Sequence, residues 1–378
     1  MLINRLKLKK LLSFNDATIE LGQLNVLIGS NAVGKSNLIE VISLLQAAPT
    51  SGRLTSTILN GGGIRQWLWL GDQTASPATI ECEVASRRTL PRMPLDYRLQ
   101  FYDDATGFVI LDEQLSKSGR GSRNGKPRPY FTRQSLGGPP IPRTESVLAA
   151  FKNPNDSTPI TEVGNSFAEI RIYREFRTGR GAAARTGVST SVAKDALQDG
   201  GDNLALILQE LDFRDRHELI KGYLRRFCGR FENVKIEIAN GLARAFLREG
   251  NLADMLSSIR MSDGTLKFLA LLAALFHPKP PPMMCIEEPE LGLHPDAMPL
   301  VAEALVEASQ SMQLIVTTHS DALVDALTDR PESVLVCERD FDNGTQMKAL
   351  SKVRLKEWLK HYSLGELWRK GEIGGGRY

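Results

Sequence analysis

The sequence predicts an α/β fold with a mostly parallel core sheet, an antiparallel β subdomain and a helical lobe. Strand-like and helical segments alternate near both ends of the chain, which is typical of βαβ units. Between them, residues 76–115 alternate apolar and polar side chains as antiparallel strands do, whereas residues 203–227 have the apolar spacing of helices. A chain of 378 residues is long enough to bury one large core or two domains.

The composition is only mildly basic, with a net charge of +3, and 42% of the residues are hydrophobic. No apolar run approaches the roughly 18 residues of a membrane span, and the first residues lack a signal-peptide core. We therefore expect a soluble, cytoplasmic protein without a membrane partner. The cysteines are too widely spaced to favour a zinc site or a disulfide framework: Cys82, Cys228, Cys285 and Cys337. Cys285 and Cys337 lie in strand-like runs and are expected to be buried free thiols.

The individual elements follow from local patterns. Strands are predicted at residues 2–8, 16–21 and 24–29, and the apolar spacing of residues 35–48 predicts a helix after them. A strand is predicted at 168–176 and a β-hairpin at 234–250. Apolar segments at 280–290, 313–321 and 333–339 predict further strands with helices between them.

The predicted domain organisation is discontinuous. Residues 1–75 and 280–350 are expected to form one core, which the motif at 29–36 described next marks as nucleotide-binding, and residues 351–378 a C-terminal helix and tail. Residues 76–279 are expected to form a middle lobe, which includes a loop at 117–143 and a helix at 262–276. The loop at 117–143 has seven Lys or Arg, no acidic residue and many Gly and Pro, a composition typical of loops.

The eight residues 29–36, GSNAVGKS, match the phosphate-binding pattern G-x-x-x-x-G-K-[ST] between a predicted strand and a predicted helix. Glycines in such a loop allow backbone N–H groups to turn inward around phosphates. Lys35 is expected to place its charge at the β- and γ-phosphates, and Ser36 to ligate Mg²⁺. A chance glycine-rich turn is the alternative, and the strand and helix on either side argue against it.

Two adjacent carboxylates, Glu287 and Glu288, follow the apolar run MMCI. Adjacent strand residues point to opposite faces, so the two side chains are expected to have different tasks. Glu287 is predicted to hold Mg²⁺ directly or through water, and Glu288 to deprotonate the attacking water. A solvated strand end is the alternative interpretation.

His319 and the stretch SDGT at 262–265 each allow two interpretations. His319 follows an apolar strand, where it is either a surface or capping residue or a sensor of the γ-phosphate. Ser262 precedes an apolar helix, where it is either an ordinary N-cap or part of a phosphate site. The local sequence does not separate these alternatives.

Taken in order, these motifs resemble the ABC-type P-loop ATPases of the RecF/SMC branch. The matching segments are a Walker A motif (29–36), a signature (262–265), a Walker B motif (283–288), a D-loop (289–295) and a switch histidine (319). The run IEEPE-x-GLHP and the tail LGELW…GEIGG at 364–375 are most similar to the stand-alone bacterial ATPases of that branch, which resemble an OLD-type core without a nuclease domain.

This resemblance implies an ATP-dependent, head-to-tail homodimer with ATP and Mg²⁺ as cofactors. Ser262 and Gly264 would meet the γ-phosphate held by the other subunit's P-loop. Lys35, Glu288 and His319 would be the catalytic residues, and Ser36 and Glu287 the metal ligands. The residues of the loop and its helix expected to contact the nucleotide are Asn31, Ala32, Val33, Gly34, Lys35, Ser36 and Asn37.

The chain departs from the common pattern of these ATPases in three respects. Asp263 places a negative charge beside the predicted phosphate site, and Glu287 replaces the more usual aspartate. A Q-loop glutamine cannot be placed, since Gln66 and Gln73 are candidates by residue type alone.

Two functions from different classes are consistent with these residues. The first is an ATP-hydrolysing clamp on DNA in repair or genome surveillance, suggested by the basic loop and by the stretch 171–185 with its arginines. A solvated, disordered loop is the alternative interpretation of 117–143. The aromatic residues Tyr130, Phe131, Tyr173 and Phe176 are interleaved with this charge, as suits base stacking; alternatively, arginines of 171–185 contact the nucleotide or a carboxylate. The second function is a regulatory scaffold in phage defence that holds a separate effector or nuclease. Trp358, Trp368 and the glycine-rich tail would dock such a partner, or alternatively the tryptophans fold the C-terminus onto the core, which is their commoner use. A transporter ATPase is disfavoured by the IEEPE-x-GLHP run.

Overall fold

The computed structural model describes residues 2–71, 76–85, 94–117, 129–133, 140–153, 155–156, 158–213, 216–250, 252–340 and 342–376. The chain divides into two compact units. The first unit comprises residues 1–170, 330–360 and 367–378, and the second comprises residues 171–329 and 361–366.

The strands of the first unit come from both ends of the chain. They are β1 (Ile3–Leu11), β2 (Phe14–Glu20), β3 (Leu24–Ile28), β4 (Ala78–Val84), β5 (Leu95–Asp104), β6 (Gly107–Lys117) and β7 (Pro129–Thr132), followed by β15 (Val334–Asp340) and β16 (Gly344–Ala349). Its helices are α1 (Lys35–Ala47), α2 (Arg53–Asn60), α3 (Ile64–Trp67), α4 (Val147–Phe151), α5 (Pro159–Ala168) and α12 (Lys352–Leu355). Short 3₁₀ turns lie at Pro331–Ser333 and Trp358–Lys360.

These strands form a mixed sheet in the order β7-β6-β5-β4-β1-β2-β16-β15-β3. β15 and β3 pair in parallel, with Val336 opposite Ile28, whereas β1 pairs antiparallel with both β2 and β4. Every residue of β3 is buried, as expected for a strand covered on both faces. β5 instead alternates buried and half-buried side chains, which is the pattern of a strand with one covered face.

The second unit begins at β8 (Arg171–Tyr173). Its other strands are β9 (Val188–Ser189), β10 (Phe231–Ala239), β11 (Leu242–Glu249), β12 (Leu256–Ser257), β13 (Met283–Glu287) and β14 (Gln313–Thr317). Its helices are α6 (Ala183–Thr186), α7 (Leu204–Phe213), α8 (His217–Phe227), α9 (Asp263–Leu275), α10 (Met298–Ala308) and α11 (Asp321–Asp325), with 3₁₀ turns at Ser258–Arg260 and Pro295–Ala297. Helix α13 (Leu364–Arg369) begins in this unit and ends in the first.

Two strand arrangements organise the second unit. β13 lies between β14 and β8 and is parallel to both, with Ile286 opposite Val316 on one side and Tyr173 on the other. A separate antiparallel sheet contains β10, β11 and β12, with β9 paired to β11. The apolar helix α9 is almost entirely buried, which accounts for its continuous run of Leu, Phe and Ala.

The α/β class and the separate antiparallel β region are therefore confirmed. The structure groups the chain differently from the predicted division at residue 76, because β4 pairs with β1 and so belongs to the first unit. The strand predicted at 168–176 is shorter, since Ala168 ends α5 and only Arg171–Tyr173 pairs with β13. The helix predicted at 203–227 is two helices, α7 and α8.

The structure also bears on the cysteines and on membrane insertion. All four cysteines are free, and Cys285 and Cys337 are fully buried. Burial raises the pKa of the Cys337 thiol to about 12. Within the described ranges, no helix combines the length and apolarity that a membrane crossing requires.

Candidate functional site

The loop 29–36 connects the buried strand β3 to helix α1, as predicted. Gly34 has φ 107° immediately before the helix, and a side chain there would collide with the hydroxyl oxygens of Thr345 and Ser13. A glycine is therefore required on both conformational and steric grounds. Ala32 also has a positive φ, of 59°, which shows how tightly the loop turns.

The ammonium group of Lys35 is held inside this loop. Its Nζ donates hydrogen bonds of 2.8 Å to the carbonyl oxygens of both Gly29 and Ser30, and the residue is only 6% exposed. No side chain caps the N-terminus of α1, and its first turn has no acidic residue. The first amides of α1, the helix dipole and the Lys35 charge together suit a polyphosphate. Ser36 is exposed at the same helix end, where its hydroxyl is accessible to Mg²⁺.

A buried hydroxyl pair supports the loop from β16 and the turn between β1 and β2. Thr345 Oγ1 donates to the carbonyl of Val33 at 2.6 Å and lies 2.7 Å from Ser13 Oγ. The backbone N–H of Thr345 donates to the carbonyl of Ser13 at 2.8 Å. No sequence pattern indicates this support, because Ser13 and Thr345 are 332 positions apart and match no motif.

A cleft of about 940 Å³ opens beside α1 in the first unit. Its lining includes Lys10, Asn15, Asn37, Gln66 and Trp69. The cleft is large enough for a nucleoside and offers it both polar and aromatic groups. Gln66, one of the two Q-loop candidates, lies in this lining, whereas Gln73 lies outside the described residues.

In the second unit, the strand ends of β8 and β13 bring Arg174 to Glu287. Arg174 Nη1 lies 2.7 Å from Glu287 Oε1, a charge-assisted hydrogen bond. Parallel pairing of β8 with β13 explains this contact, because Tyr173 lies opposite Ile286 and the next residues of both strands are neighbours. Glu287 is thus a partly buried carboxylate with a cationic partner, and an anionic oxygen of this kind suits Mg²⁺.

Glu288, the next residue, has different neighbours from Glu287, and the sequence predicted that the two carboxylates would have different tasks. Its φ is 46°, and its N–H donates to the carbonyl of Thr317 at 3.0 Å. Its carboxylate Oε1 lies 3.8 Å from Nε2 of His319, so the structure brings the predicted base and the predicted switch histidine together. Both side chains are about one-third exposed and therefore accessible to a water molecule. The left-handed backbone at a non-glycine residue is itself frequent at functional sites.

Glu290 holds the backbone of this histidine in place, a role that none of the sequence motifs assigns to it. Its Oε1 accepts hydrogen bonds from Thr318 Oγ1 at 2.8 Å and from the N–H of His319 at 2.7 Å. Burial raises the pKa of Glu290, and these hydrogen bonds oppose the rise. Glu290 therefore ties the D-loop to the segment that carries His319.

The signature SDGT lies at the start of α9, where Ser262 is the N-cap. Ser262 Oγ accepts a hydrogen bond of 3.1 Å from the N–H of Thr265 and lies 2.8 Å from Thr265 Oγ1. Ser262 and Asp263 are exposed, and Gly264 is half-buried. The capping interpretation of Ser262 is thus confirmed as a structural fact, and a second role in phosphate binding is compatible with its exposure.

The arginines of 171–185 are largely committed to acidic partners. Arg174 pairs with Glu287, Arg177 with Asp202 and Arg185 with Asp263. The proposed stacking of aromatic rings on bases needs correction, since Tyr173 and Phe131 are each 2% exposed and packed in the core. Of the four rings, Tyr130 is the exposed one, at 48%, and Phe176 is half-buried.

A P-loop with a buried lysine, a strand ending in two carboxylates, and a capped signature helix define an ABC-type P-loop ATPase of the SMC/RecF branch. The chain belongs to the family described as "AAA domain, putative AbiEii toxin, Type IV TA system", which it matches over residues 24–325. Comparison with curated proteins finds no match.

Solved structures with a similar fold are head domains of Smc proteins. An Smc head with an extended coiled coil, bound to the C-terminal domain of ScpA derived from Pyrococcus furiosus, has a TM-score of 0.57 and 14% identity, covering 95% of this chain and 98% of the other. An Smc head bound to the C-winged helix domain of ScpA has a TM-score of 0.52 and 13% identity, covering 94% and 99%. At these identities, the likeness shows the fold alone.

Proposed function

We propose that this protein binds and hydrolyses ATP as a homodimer, in which the P-loop of one copy and the signature of the other hold the same nucleotide. The observation that carries the ATP assignment is the loop 29–36, with Lys35 enclosed by its carbonyls and the N-terminus of α1 uncapped. The dimer is supported by the exposed polar residues Ser262 and Asp263 at the start of an otherwise buried helix. Their exposure leaves the signature accessible to a second chain.

The roles of the remaining residues follow from this proposal. Glu288 is the general base, and His319 beside it interacts with the γ-phosphate. Ser36 and Glu287 are the protein groups that would hold Mg²⁺. When bound, Mg²⁺ neutralises charge that develops on the phosphate oxygens.

Glu288→Gln tests the dimer and the base together. The variant is expected to bind ATP, to lose most of its turnover and to accumulate as a dimer in size-exclusion chromatography with light scattering. Lys35→Ala is expected to bind no nucleotide and to stay monomeric under the same conditions. Wild-type turnover in Glu288→Gln would refute the base, and a monomer saturated with ATP would refute the shared nucleotide.

A second pair of variants tests the signature. Ser262→Arg, added to Glu288→Gln, is expected to abolish the dimer and leave ATP binding intact, because the change lies at the surface of α9. Asp296→Asn, an exposed change shortly after the D-loop, serves as the matched control and is expected to dimerise normally. Equal dimerisation of the two variants would show that the signature is not at the interface.

We propose DNA as the polymer on which this ATPase acts, through the basic loop 117–143. Within the described part of that loop, Arg133 pairs with Glu113 and Arg143 with Asp104, so neither arginine supplies a free charge. The proposal therefore rests on Arg120, Arg123, Lys126 and Arg128, which lie outside the described residues. Phosphate binding is supported by the sequence alone, because the stretch 117–143 contains these basic residues and no Asp or Glu.

Neutralising these four residues to Gln tests the DNA proposal. The slope of log affinity against log salt is expected to fall by up to about 0.9 for each phosphate that the variant no longer neutralises. The control replaces four exposed basic residues elsewhere, Lys352, Arg354, Lys356 and Lys360, and is expected to keep the slope. The same slope in both variants would exclude the loop from DNA binding.

A second candidate function is a regulatory scaffold in a defence system. The observation that favours it is the family description, which names a toxin of a type IV toxin–antitoxin system. Such a scaffold would hold a separate effector or nuclease in its ATP-bound state. The native complex should then retain one stoichiometric protein in Glu288→Gln and lose it in Lys35→Ala, whereas retention of nucleic acid alone would favour the DNA clamp.

A further inference from the structure

The glycine-rich segment, residues 371–376, returns to the start of the P-loop within the first unit. The indole Nε1 of Trp368, which is 1% exposed, donates to the carbonyl of Gly375 at 2.8 Å. The N–H of Gly375 donates to Glu338 Oε1 at 3.2 Å. Both backbone groups of Gly375 are therefore held by side chains from α13 and β15.

Gly375 lies close to Gly29, the first residue of the P-loop, and a side chain at Gly375 would crowd this contact. A Cβ atom on Gly375 would lie 3.2 Å from Gly29 Cα and 3.1 Å from Val336 Cγ1. The φ of Gly375 is 64°, in the left-handed region that glycine adopts without strain. On its other side, Gly29 packs against β15. A Cβ atom added to Gly29 would lie 2.5 Å from the carbonyl oxygen of Cys337. Gly29 is thus enclosed between β15 and the glycine-rich segment.

This enclosure connects directly to the lysine of the site. The carbonyl of Gly29 is one of the two groups that accept hydrogen bonds from Lys35 Nζ. In addition, Gly375 and Gly376 line a cleft of about 510 Å³ together with Ser30, Asn31, Ala32 and Val33. The segment is therefore a wall of the P-loop as well as a support behind its first residue.

We propose that the glycine-rich segment sets the nucleotide affinity of the P-loop, with Trp368, Glu338 and Gly375 as positioning residues for Gly29. A displaced segment would release Gly29 and with it the carbonyl that orients Lys35. The inference rests on the proposed binding of ATP at residues 29–36. It goes beyond that proposal, because no Walker, signature or switch motif includes these residues.

Two glycine substitutions separate a local effect on the P-loop from a general effect of backbone strain. Gly375→Ala and Gly371→Ala both place a Cβ at a positive φ, 64° and 77°, but a Cβ at Gly371 meets nothing within 4 Å. We expect both variants to lose thermal stability from the strained backbone, and Gly375→Ala to lose more, because only its Cβ is crowded. Only Gly375→Ala should weaken the binding of a fluorescent ATP analogue, by up to about tenfold, because its Cβ, 3.1–3.2 Å from Val336 and Gly29, requires one of these neighbours to move.

A second pair of variants decides the question if Gly375→Ala does not fold. Glu338→Ala removes the acceptor for the Gly375 N–H and is expected to weaken the analogue about threefold, in line with the loss of one hydrogen bond at an exposed side chain. Glu338→Gln keeps an acceptor oxygen and is expected to bind as the wild type does. If Glu338 acted through its negative charge, Glu338→Gln would bind the analogue as weakly as Glu338→Ala does. If Glu338 had no role, both variants would bind it as the wild type does.

The outcomes distinguish this inference from the function on which it rests. If the wild type binds no analogue, or Lys35→Ala binds it equally well, the ATP proposal itself fails. If Lys35→Ala loses binding but Gly375→Ala matches Gly371→Ala, or Glu338→Ala matches Glu338→Gln, the ATP site stands and the positioning role is overturned.

Discussion

Arg185 forms an ion pair with Asp263, the residue that departs from the common signature pattern. The same guanidinium donates through Nη1 to the carbonyls of Ile259 and Met261, at 3.0 and 2.6 Å. In return, Ser258 Oγ donates to the carbonyl of Arg185 at 2.7 Å. The negative charge that the sequence places beside the predicted phosphate site is thus compensated, and Arg185 holds the backbone that leads into α9.

Replacing Arg185 should destabilise the protein far more than replacing its acidic partner. Arg185→Met leaves several buried carbonyls without a donor, and we expect a loss of about 2–4 kcal/mol in the free energy of unfolding. Asp263→Asn should cost less than about 1 kcal/mol, because the Asp263 side chain is 66% exposed. Urea denaturation of both variants measures the difference. Equal losses would show that the ion pair, rather than the hydrogen bonds to the carbonyls, dominates.

Removing Arg174 should lower the Mg²⁺ concentration that ATP hydrolysis requires. The guanidinium occupies Glu287 Oε1, the oxygen predicted to ligate the metal, so the two cations compete for one carboxylate. The expected shift in half-maximal Mg²⁺ for Arg174→Gln is at most about fivefold, since a pair this exposed contributes about 1 kcal/mol or less. Arg177→Gln, which loses the pair with Asp202, is the control and should leave the Mg²⁺ dependence unchanged. A higher requirement in Arg174→Gln would contradict competition.

Substituting Glu290 should reduce turnover without reducing nucleotide affinity. Glu290→Ala removes the acceptor for the His319 N–H, and a displaced catalytic segment typically costs on the order of tenfold to a hundredfold in rate. Glu290→Gln retains an acceptor oxygen and should lose less. Steady-state turnover at saturating ATP and a separate binding titration distinguish the two quantities. A matched loss of affinity would instead place Glu290 in nucleotide binding.

Glu113 should make stability fall as the pH rises above the ordinary carboxyl range. This side chain is fully buried, and burial raises its pKa above the ordinary value of 4.5, although the N–H of Val147 and the hydroxyls of Ser146 and Tyr97 oppose the rise. A carboxyl with a raised pKa contributes stability that is present below pH 4.5 and is lost as pH rises through the folded-state pKa. The slope is at most about 1.4 kcal/mol per pH unit for one proton.

Comparison with Glu113→Gln isolates this contribution from other titrating groups. The difference in unfolding free energy, wild type minus variant, should decrease with pH from 4.5 upward until the folded-state pKa is passed. Urea denaturation at successive pH values measures it. A difference that stays constant or increases would mean that the buried carboxyl is ionised throughout.

Much of the candidate nucleotide site was predictable because its determinants are local. The loop 29–36 is one contiguous stretch, and the preceding apolar strand and following helix set its context. The structure gives Glu287 and Glu288 different partners, Arg174 and His319, as expected. Alternation along a strand does not account for this difference, because β13 ends at Glu287 and Glu288 has a φ of 46°. The cap at Ser262 likewise depends on residues within one helical turn.

The partners that complete the site were not predictable, because they meet only when distant strands pair. Arg174 reaches Glu287 across 113 positions through the parallel pairing of β8 with β13, and Arg185 reaches Asp263 across 78. Neither periodicity nor composition encodes such pairs, so the arginines of 171–185 were equally compatible with DNA. Similarly, Trp368 and the glycine-rich tail were expected to dock an effector, but Trp368 is buried and Gly375 packs against Gly29.

Motif spacing and hydrophobic pattern in this chain thus predict an α/β P-loop ATPase and the groups proposed to act on a phosphate, since both depend on neighbours along the backbone. The order and direction of the strands determine which arginine meets which carboxylate. The packing of distant segments determines which residues support the P-loop. Those contacts depend on how segments far apart in the chain pack against each other, which no local window of residues contains.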